Sequence, residues 1–219
     1  MIRPAILLPL LLVVLVAAPA GVHAQAVGRI EGRVQLRERP ARRTPNRYPG
    51  GAGGAARPVQ TIPTVVYLEG AIPSAVPAGA RSATIAQRDT AFAPGAVVIP
   101  VGGSVVFPNE DPFFHNVFSY STAERFDLGR YPRGESKTVE FDQPGVVRVY
   151  CEVHESMRAA VVVTENPFHT IVADDGTFTL TGVPAGVHQL VVWHVDLGEA
   201  RAEVRVTAGA TARVDLTLE

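Results

Sequence analysis

Cysteine is nearly absent: the chain has one in 219 residues, which excludes an intramolecular disulfide. Tryptophan occurs once and methionine twice. Charged residues make up only 19%, and the formal net charge of −1 rules out a strongly basic nucleic-acid binder at whole-chain level. There is no Gly-x-Ser-x-Gly elbow, phosphate-binding loop or His-Glu-x-x-His helix, and no solenoid-like repeat. Helix-compatible stretches are scarce as well. Gly (20) and Pro (18) together supply about one residue in six, and both oppose helix interiors. What is abundant is apolar sequence. At 47% hydrophobic, the chain has enough to build a globular core.

The apolar residues are unevenly placed. Arg3 precedes a Leu/Val/Ala-rich run from Ala5 to Ala18, broken by Pro9, and Val22-His23-Ala24 forms an A-x-A-like cleavage site before Gln25. This predicts a signal peptide over 1–24, and a periplasmic or secreted protein without a transmembrane span once it is removed. The alternative is an uncleaved anchor, although the run is short of the ~20 residues a span needs. Charge is uneven too. Eight Arg against Glu31 and Glu38 lie between Arg29 and Arg57, whereas 11 basic and 19 acidic residues follow from Pro58 onward. The Arg-rich segment 29–57 reads as a solvated face and loop, or as a dock for an acidic partner or anionic lipid.

Beyond residue 24 the period is two. In Arg29–Arg37, Ile30, Val34 and Leu36 alternate with polar residues, and Val214, Leu216 and Leu218 do the same near the end. Short Val-rich runs at Thr64–Leu68, Ala96–Val101, Ser104–Phe107, Val146–Tyr150, Ala159–Val163 and Leu190–Trp193 lie between turn signals such as Gly102-Gly103 and Pro144-Gly145. The pattern predicts an all-β sandwich architecture, with Pro40–Pro63 as a long loop.

Two segments carry chemistry: one runs from Phe107 to Ser119 and contains His115-Asn116, the other from Val147 to Met157. Strand parity puts Cys151 on the face of Val147 and Val149, so a buried valine face carries the thiol inward. His154 and Met157 follow at intervals of three in a tight loop. A lone Cys is commonly a buried apolar residue, and Met often fills gaps in a core. In an exported chain with no second Cys, however, a thiol, a thioether and two imidazoles in this spacing favour a metal. Two His, one Cys and a weak Met suit blue copper, whereas Met is a poor zinc ligand.

These segments resemble the cupredoxins, the plastocyanin, pseudoazurin and amicyanin group. Here the His-Asn pair is His115-Asn116, and the ligand loop is Tyr150-Cys151-x-x-His154-x-x-Met157. The resemblance implies one mononuclear copper, Cu(I)/Cu(II), bound by His115, Cys151, His154 and Met157. Asn116 would fasten the ligand loops, and His154 would face a protein redox partner through an apolar patch including Pro112, Phe113 and Phe114. It implies an electron carrier that is monomeric and not an enzyme. Six His in all cannot supply the further copper sites of a multicopper oxidase. A copper-binding or storage protein, and a structural module with a vestigial site, stay open.

The stretch from Ala173 to Trp193 resembles a carboxypeptidase regulatory-like, or transthyretin-like, β-sandwich. Such domains open with strands like Gly32-Arg-Val34-Gln-Leu36 and Val65-Val-Tyr67-Leu68, which here precede the cupredoxin-like segment. The expected organisation is therefore a signal peptide (1–24), the first part of a split sandwich (25–80), a Greek-key cupredoxin sandwich (81–165) and the remainder of the smaller, transthyretin-like sandwich (166–219). An ordinary tandem is the alternative. His169, His188 and His194 lack metal-ligand spacing and read as structural.

Overall fold

The computed structural model describes residues 26–37, 60–74 and 80–219. The expected signal peptide, most of the Arg-rich segment and residues 40–59 of the expected loop lie outside these residues. The described residues form seventeen strands and no helix. The first are β1 (Val27–Leu36) and β2 (Val65–Leu68). Then come β3 (Ser82–Thr84), β4 (Ala86–Arg88), β5 (Ala91–Ala93), β6 (Ala96–Pro100), β7 (Gly103–Pro108) and β8 (His115–Tyr120). β9 (Arg125–Tyr131), β10 (Ser136–Phe141), β11 (Gly145–Tyr150) and β12 (Arg158–Thr164) follow. The last are β13 (His169–Ile171), β14 (Thr177–Pro184), β15 (Gly186–His194), β16 (Gly198–Val206) and β17 (Thr211–Leu218).

The middle of the chain makes one sandwich. A five-stranded sheet in the order β6-β12-β11-β8-β9 faces a three-stranded sheet, β10-β7-β3. Their shared core includes Phe107, Val117, Phe141, Val147, Val149, Cys151 and Met157, all buried. Alternation explains the facing: in β11, Val147 and Val149 turn inward while Arg148 is exposed. The parallel pairing of β6 with β12 requires a long crossover, characteristic of a Greek-key sandwich.

The first two and the last five strands meet in a second sandwich. β1 sits between β14 and β17, antiparallel to the first and parallel to the second. β2 sits between β13 and β15 in the sheet β13-β2-β15-β16. Ile30, Val66, Leu68, Leu180, Leu190 and Val192 are buried between these sheets. Leu36 departs from the expected alternation. It shares the parity of Ile30 and Val34 but is 44% exposed, because it lies at the strand end, past the reach of the covering sheet.

A third apolar cluster joins the sandwiches. Ala160 and Val162 of β12, with Ala96 of β6, pack against Ile62, Val65 and Trp193. Every residue of β12 after Arg158 is therefore buried. Ala159, Val161 and Val163 face the first core, and Ala160 and Val162 face the seam. A strand covered on both faces reads as a continuous apolar run, as Ala159–Val163 does.

Candidate metal centre

His115 opens β8 and Cys151 directly follows β11, two neighbouring antiparallel strands of one sheet. His154 and Met157 lie in the short loop to β12. That loop is closed by hydrogen bonds from the Met157 N–H to the His154 carbonyl (2.9 Å) and from the Cys151 N–H to the Met157 carbonyl (3.4 Å). The loop folds the chain back so that Nδ1 of His115 lies 3.7 Å from Cys151 Sγ and 3.2 Å from Nδ1 of His154. Among the described residues, these three are the group of His, Cys, Asp or Glu side chains placed to hold a metal ion, their donor atoms within 4.8 Å of one another. His115, Cys151 and Met157 are buried; His154 is half-buried.

The pair His115-Asn116 does two jobs. The Asn116 side-chain oxygen accepts a hydrogen bond from the Glu152 N–H at 2.7 Å, tying β8 to the residue after Cys151. The far nitrogen of His115, Nε2, meets the carboxylate of Asp111 at 2.8 Å, both groups buried. An anion accepts only, so this partner assigns the proton to Nε2 and leaves the Nδ1 lone pair facing Cys151 and His154. Two imidazole nitrogens and a thiol sulfur converging in this way fit a soft-to-borderline cation, and carboxylate–histidine–metal relays are a recurrent arrangement.

Asp111 was not among the residues singled out from sequence. Its carboxylate accepts backbone N–H bonds from Asp89 (2.7 Å) and Thr90 (2.9 Å) as well as meeting His115. Burial pushes its carboxyl up, but the Thr90 amide, His115 and the Asp89 amide together outweigh that and hold it below the usual range. The two donating residues form the β4–β5 turn and sit at φ 55° and 59°. For a β-branched residue such as Thr90 that is a genuine outlier, and such strain costs ~1–3 kcal/mol per residue. Asn109 organises the same loop. Its side-chain amide donates to the carbonyls of Phe113 (2.8 Å) and Tyr131 (3.0 Å), and its oxygen accepts from the Asp111 N–H (3.0 Å).

Two family models match the chain. Residues 80–164 match the model for copper binding proteins of the plastocyanin/azurin family, and residues 154–219 match the carboxypeptidase regulatory-like domain. Together the two matches span residues 80–219. Copper is the cofactor that the family match and the His-Cys-His cluster support.

Among solved structures, the chain is similar to the copper-containing nitrite reductase of Thermus scotoductus, with 27% identity and a TM-score of 0.37. That match covers 39% of this chain and 23% of the reductase, so the chain spans about a quarter of that protein's length. A purple cupredoxin from Nitrosopumilus maritimus is 24% identical over 37% of this chain and 99% of its own, with a TM-score of 0.34. Amicyanin from Paracoccus versutus is 20% identical over 45% of this chain and 96% of its own, with a TM-score of 0.35. No curated protein matches the chain.

The other histidines among the described residues lie apart from the centre. His188 Nε2 lies 2.7 Å from the Pro184 carbonyl, and His194 Nδ1 accepts from the Asp196 N–H at 3.3 Å. His169 is held below its ordinary pKa by burial, and its Nδ1 has no hydrogen-bond partner among the described residues. The exposed Phe113 (50%) has its ring 6.2 Å from that of His154, and Phe114 (57%) and Val153 (40%) are exposed as well.

Proposed function

We propose that this chain is an exported mononuclear copper protein that carries single electrons between protein redox partners, and that it is not itself an enzyme. The observation that carries the reading is the convergence of Cys151 Sγ with Nδ1 of His115 and of His154, backed by the Asp111 carboxylate on Nε2 of His115. His115, Cys151, His154 and Met157 would hold the ion, Cys151 as the strong thiolate donor and Met157 as the weak thioether. Copper held there supplies a one-electron couple between Cu(II) and Cu(I).

The protein's own part is to fix the donors in advance. Asp111 fixes the His115 tautomer, Asn116 ties the two ligand-bearing segments together, and the short 151–157 loop closes on itself. Little then has to move when an electron arrives. His154, half-buried beside the exposed Phe113, is the route to the surface. Exposed aromatic side chains at that point suit the small, short-lived contacts of redox partners. In this reading residues 25–80 and 166–219 form one sandwich, with the cupredoxin of 81–165 inserted between them.

Adding Cu(II) to the purified protein is expected to give intense visible absorption and a reversible voltammetric wave. A colourless protein that takes up only Cu(I) would favour copper storage. Failure to bind either ion would leave a structural module.

A further inference from the structure

The residues on either side of Met157 are bonded to Gln60, and Arg158 also to the second sandwich. The residue before Met157, Ser156, accepts a backbone hydrogen bond from the Gln60 N–H at 3.3 Å. The residue after it, Arg158, donates from Nε to the Gln60 carbonyl at 2.8 Å. The same guanidinium donates both terminal nitrogens to the carboxylate of Asp196, at 2.7 and 2.9 Å, a paired geometry that fixes orientation as well as distance. Asp196 lies in the turn between β15 and β16, part of the second sandwich. Gln60 is itself clamped. Its side-chain oxygen accepts from the Phe92 N–H at 2.9 Å, and its amide donates to the Phe92 carbonyl. The buried cluster of Ile62, Val65 and Trp193 with Ala96, Ala160 and Val162 also joins the two sandwiches.

From this arrangement we infer that the second sandwich sets the position of the Met157 thioether, with Gln60, Arg158 and Asp196 as positioning residues for the copper site. This rests on the reading of Met157 as a ligand. A weak thioether donor is the one whose contribution changes most with small displacements, because nothing in its own bond to the metal fixes it. A brace on both neighbouring residues supplies what that bond does not. The carboxypeptidase regulatory-like part thereby acquires a role in tuning the reduction potential.

The test uses the full copper-loaded chain in four forms: parent, Asp196→Ala, Met157→Leu and the double variant. Each is measured by voltammetry and by the ratio of its visible charge-transfer bands, with a thermal melt to check folding. Asp196→Ala is expected to change the band ratio and to shift the equilibrium constant for reduction by up to about tenfold, ~59 mV for one electron. In the Met157→Leu background that change should vanish, because the brace then has no donor to place. Arg158→Lys, which keeps the charge but loses the fork, should reproduce the parent-background effect in part. A potential and band ratio unchanged in Asp196→Ala, with only a lower melting temperature, would show a contact that merely stabilises. An equal shift in both backgrounds would assign it to the lost charge and overturn the inference. If Met157→Leu alone leaves the parent's potential and spectrum untouched, the ligand reading itself fails, before any Asp196 variant is compared.

Discussion

Asp111 and His115 are four residues apart, and between them Pro112, Phe113 and Phe114 are exposed while both ends of the loop turn inward. The inward pair shows how much of a metal centre one residue type can conceal. The thiol, the imidazoles and the thioether were legible because few residues bind soft metals and their spacing was narrow. An Asp beside a Pro reads as a turn former, and its partners at Asp89 and Thr90 lie about twenty residues upstream, so nothing local announced it. Asp111→Asn should weaken copper binding by roughly 10–100-fold, by losing the anion that orients and enriches the His115 imidazole. Competition against a chelator of known affinity measures this, and an unchanged affinity would reduce the pair to a structural contact. Cys151 and Met157 should fail differently. Cys151→Ser should abolish the intense thiolate colour while the circular dichroism of the β-sandwich persists. Met157→Leu should keep the colour and raise the potential, whereas Met157→Gln should lower it, since a harder oxygen favours Cu(II). Three identical voltammograms would remove Met157 from the ligand set.

At the scale of elements, alternation made β1 and β17 readable, and short Val-rich runs made β7, β11 and β12 readable. β9 was not. Its sequence Arg-Phe-Asp-Leu-Gly-Arg-Tyr carries Asp and Gly, which disfavour strands, and it survives at the edge of the five-stranded sheet by packing Phe126 and Leu128 on the core. Nor could periodicity say what covers β12 on its second face, because that depends on where the chain returns. β1 also hides a tight constraint at Gly32. A Cβ there would stand 1.8 Å from the Val214 carbonyl oxygen and 2.8 Å from the Phe178 ring. The first neighbour is backbone of β17 in register with Gly32, so it cannot move without opening the parallel pair. Gly32→Ala should therefore destabilise the second sandwich by at least the ~1–3 kcal/mol typical of overpacking. Urea denaturation followed by the single tryptophan, Trp193, reads this out. A midpoint equal to the parent's would mean that β1 is not held centrally between β14 and β17.

For the whole molecule, the contact between the sandwiches has an acid limit. The Asp196 carboxyl is held below its ordinary range, chiefly by its hydrogen bond to Arg158. A depressed folded-state pKa contributes stability that is present above the unfolded value of about 4 and is lost as the pH falls through the folded value. Asp196 is partly exposed, so the contribution is small, but its sign is fixed. The gap in melting temperature between the parent and Asp196→Asn should be widest near neutrality and close below about pH 4. A gap that is constant with pH would remove the ion pair from the interface.

Chain order gives the larger prediction. Strands β14 and β17 do not pair with each other; β1 lies between them and bonds to both. β2 likewise stands between β13 and β15. A chain beginning at residue 80 keeps every strand of the five-stranded sheet and of β10-β7-β3, but leaves a gap in each sheet of the second sandwich. Ile30, Val66 and Leu68 leave that core with the missing strands. Each such side chain is worth ~1.5–3 kcal/mol when fully buried, and domains have only about 5–15 kcal/mol in hand. The shortened chain should therefore retain protected amides across 80–164 while residues 166–219 exchange freely, as hydrogen exchange read by mass spectrometry would report. Its copper site should persist with an altered potential, because Gln60 leaves with the missing segment and Asp196 loses its folded support. Full protection across 166–219 would show that the C-terminal strands fold as an ordinary tandem domain, and the split-sandwich reading would fall with that result.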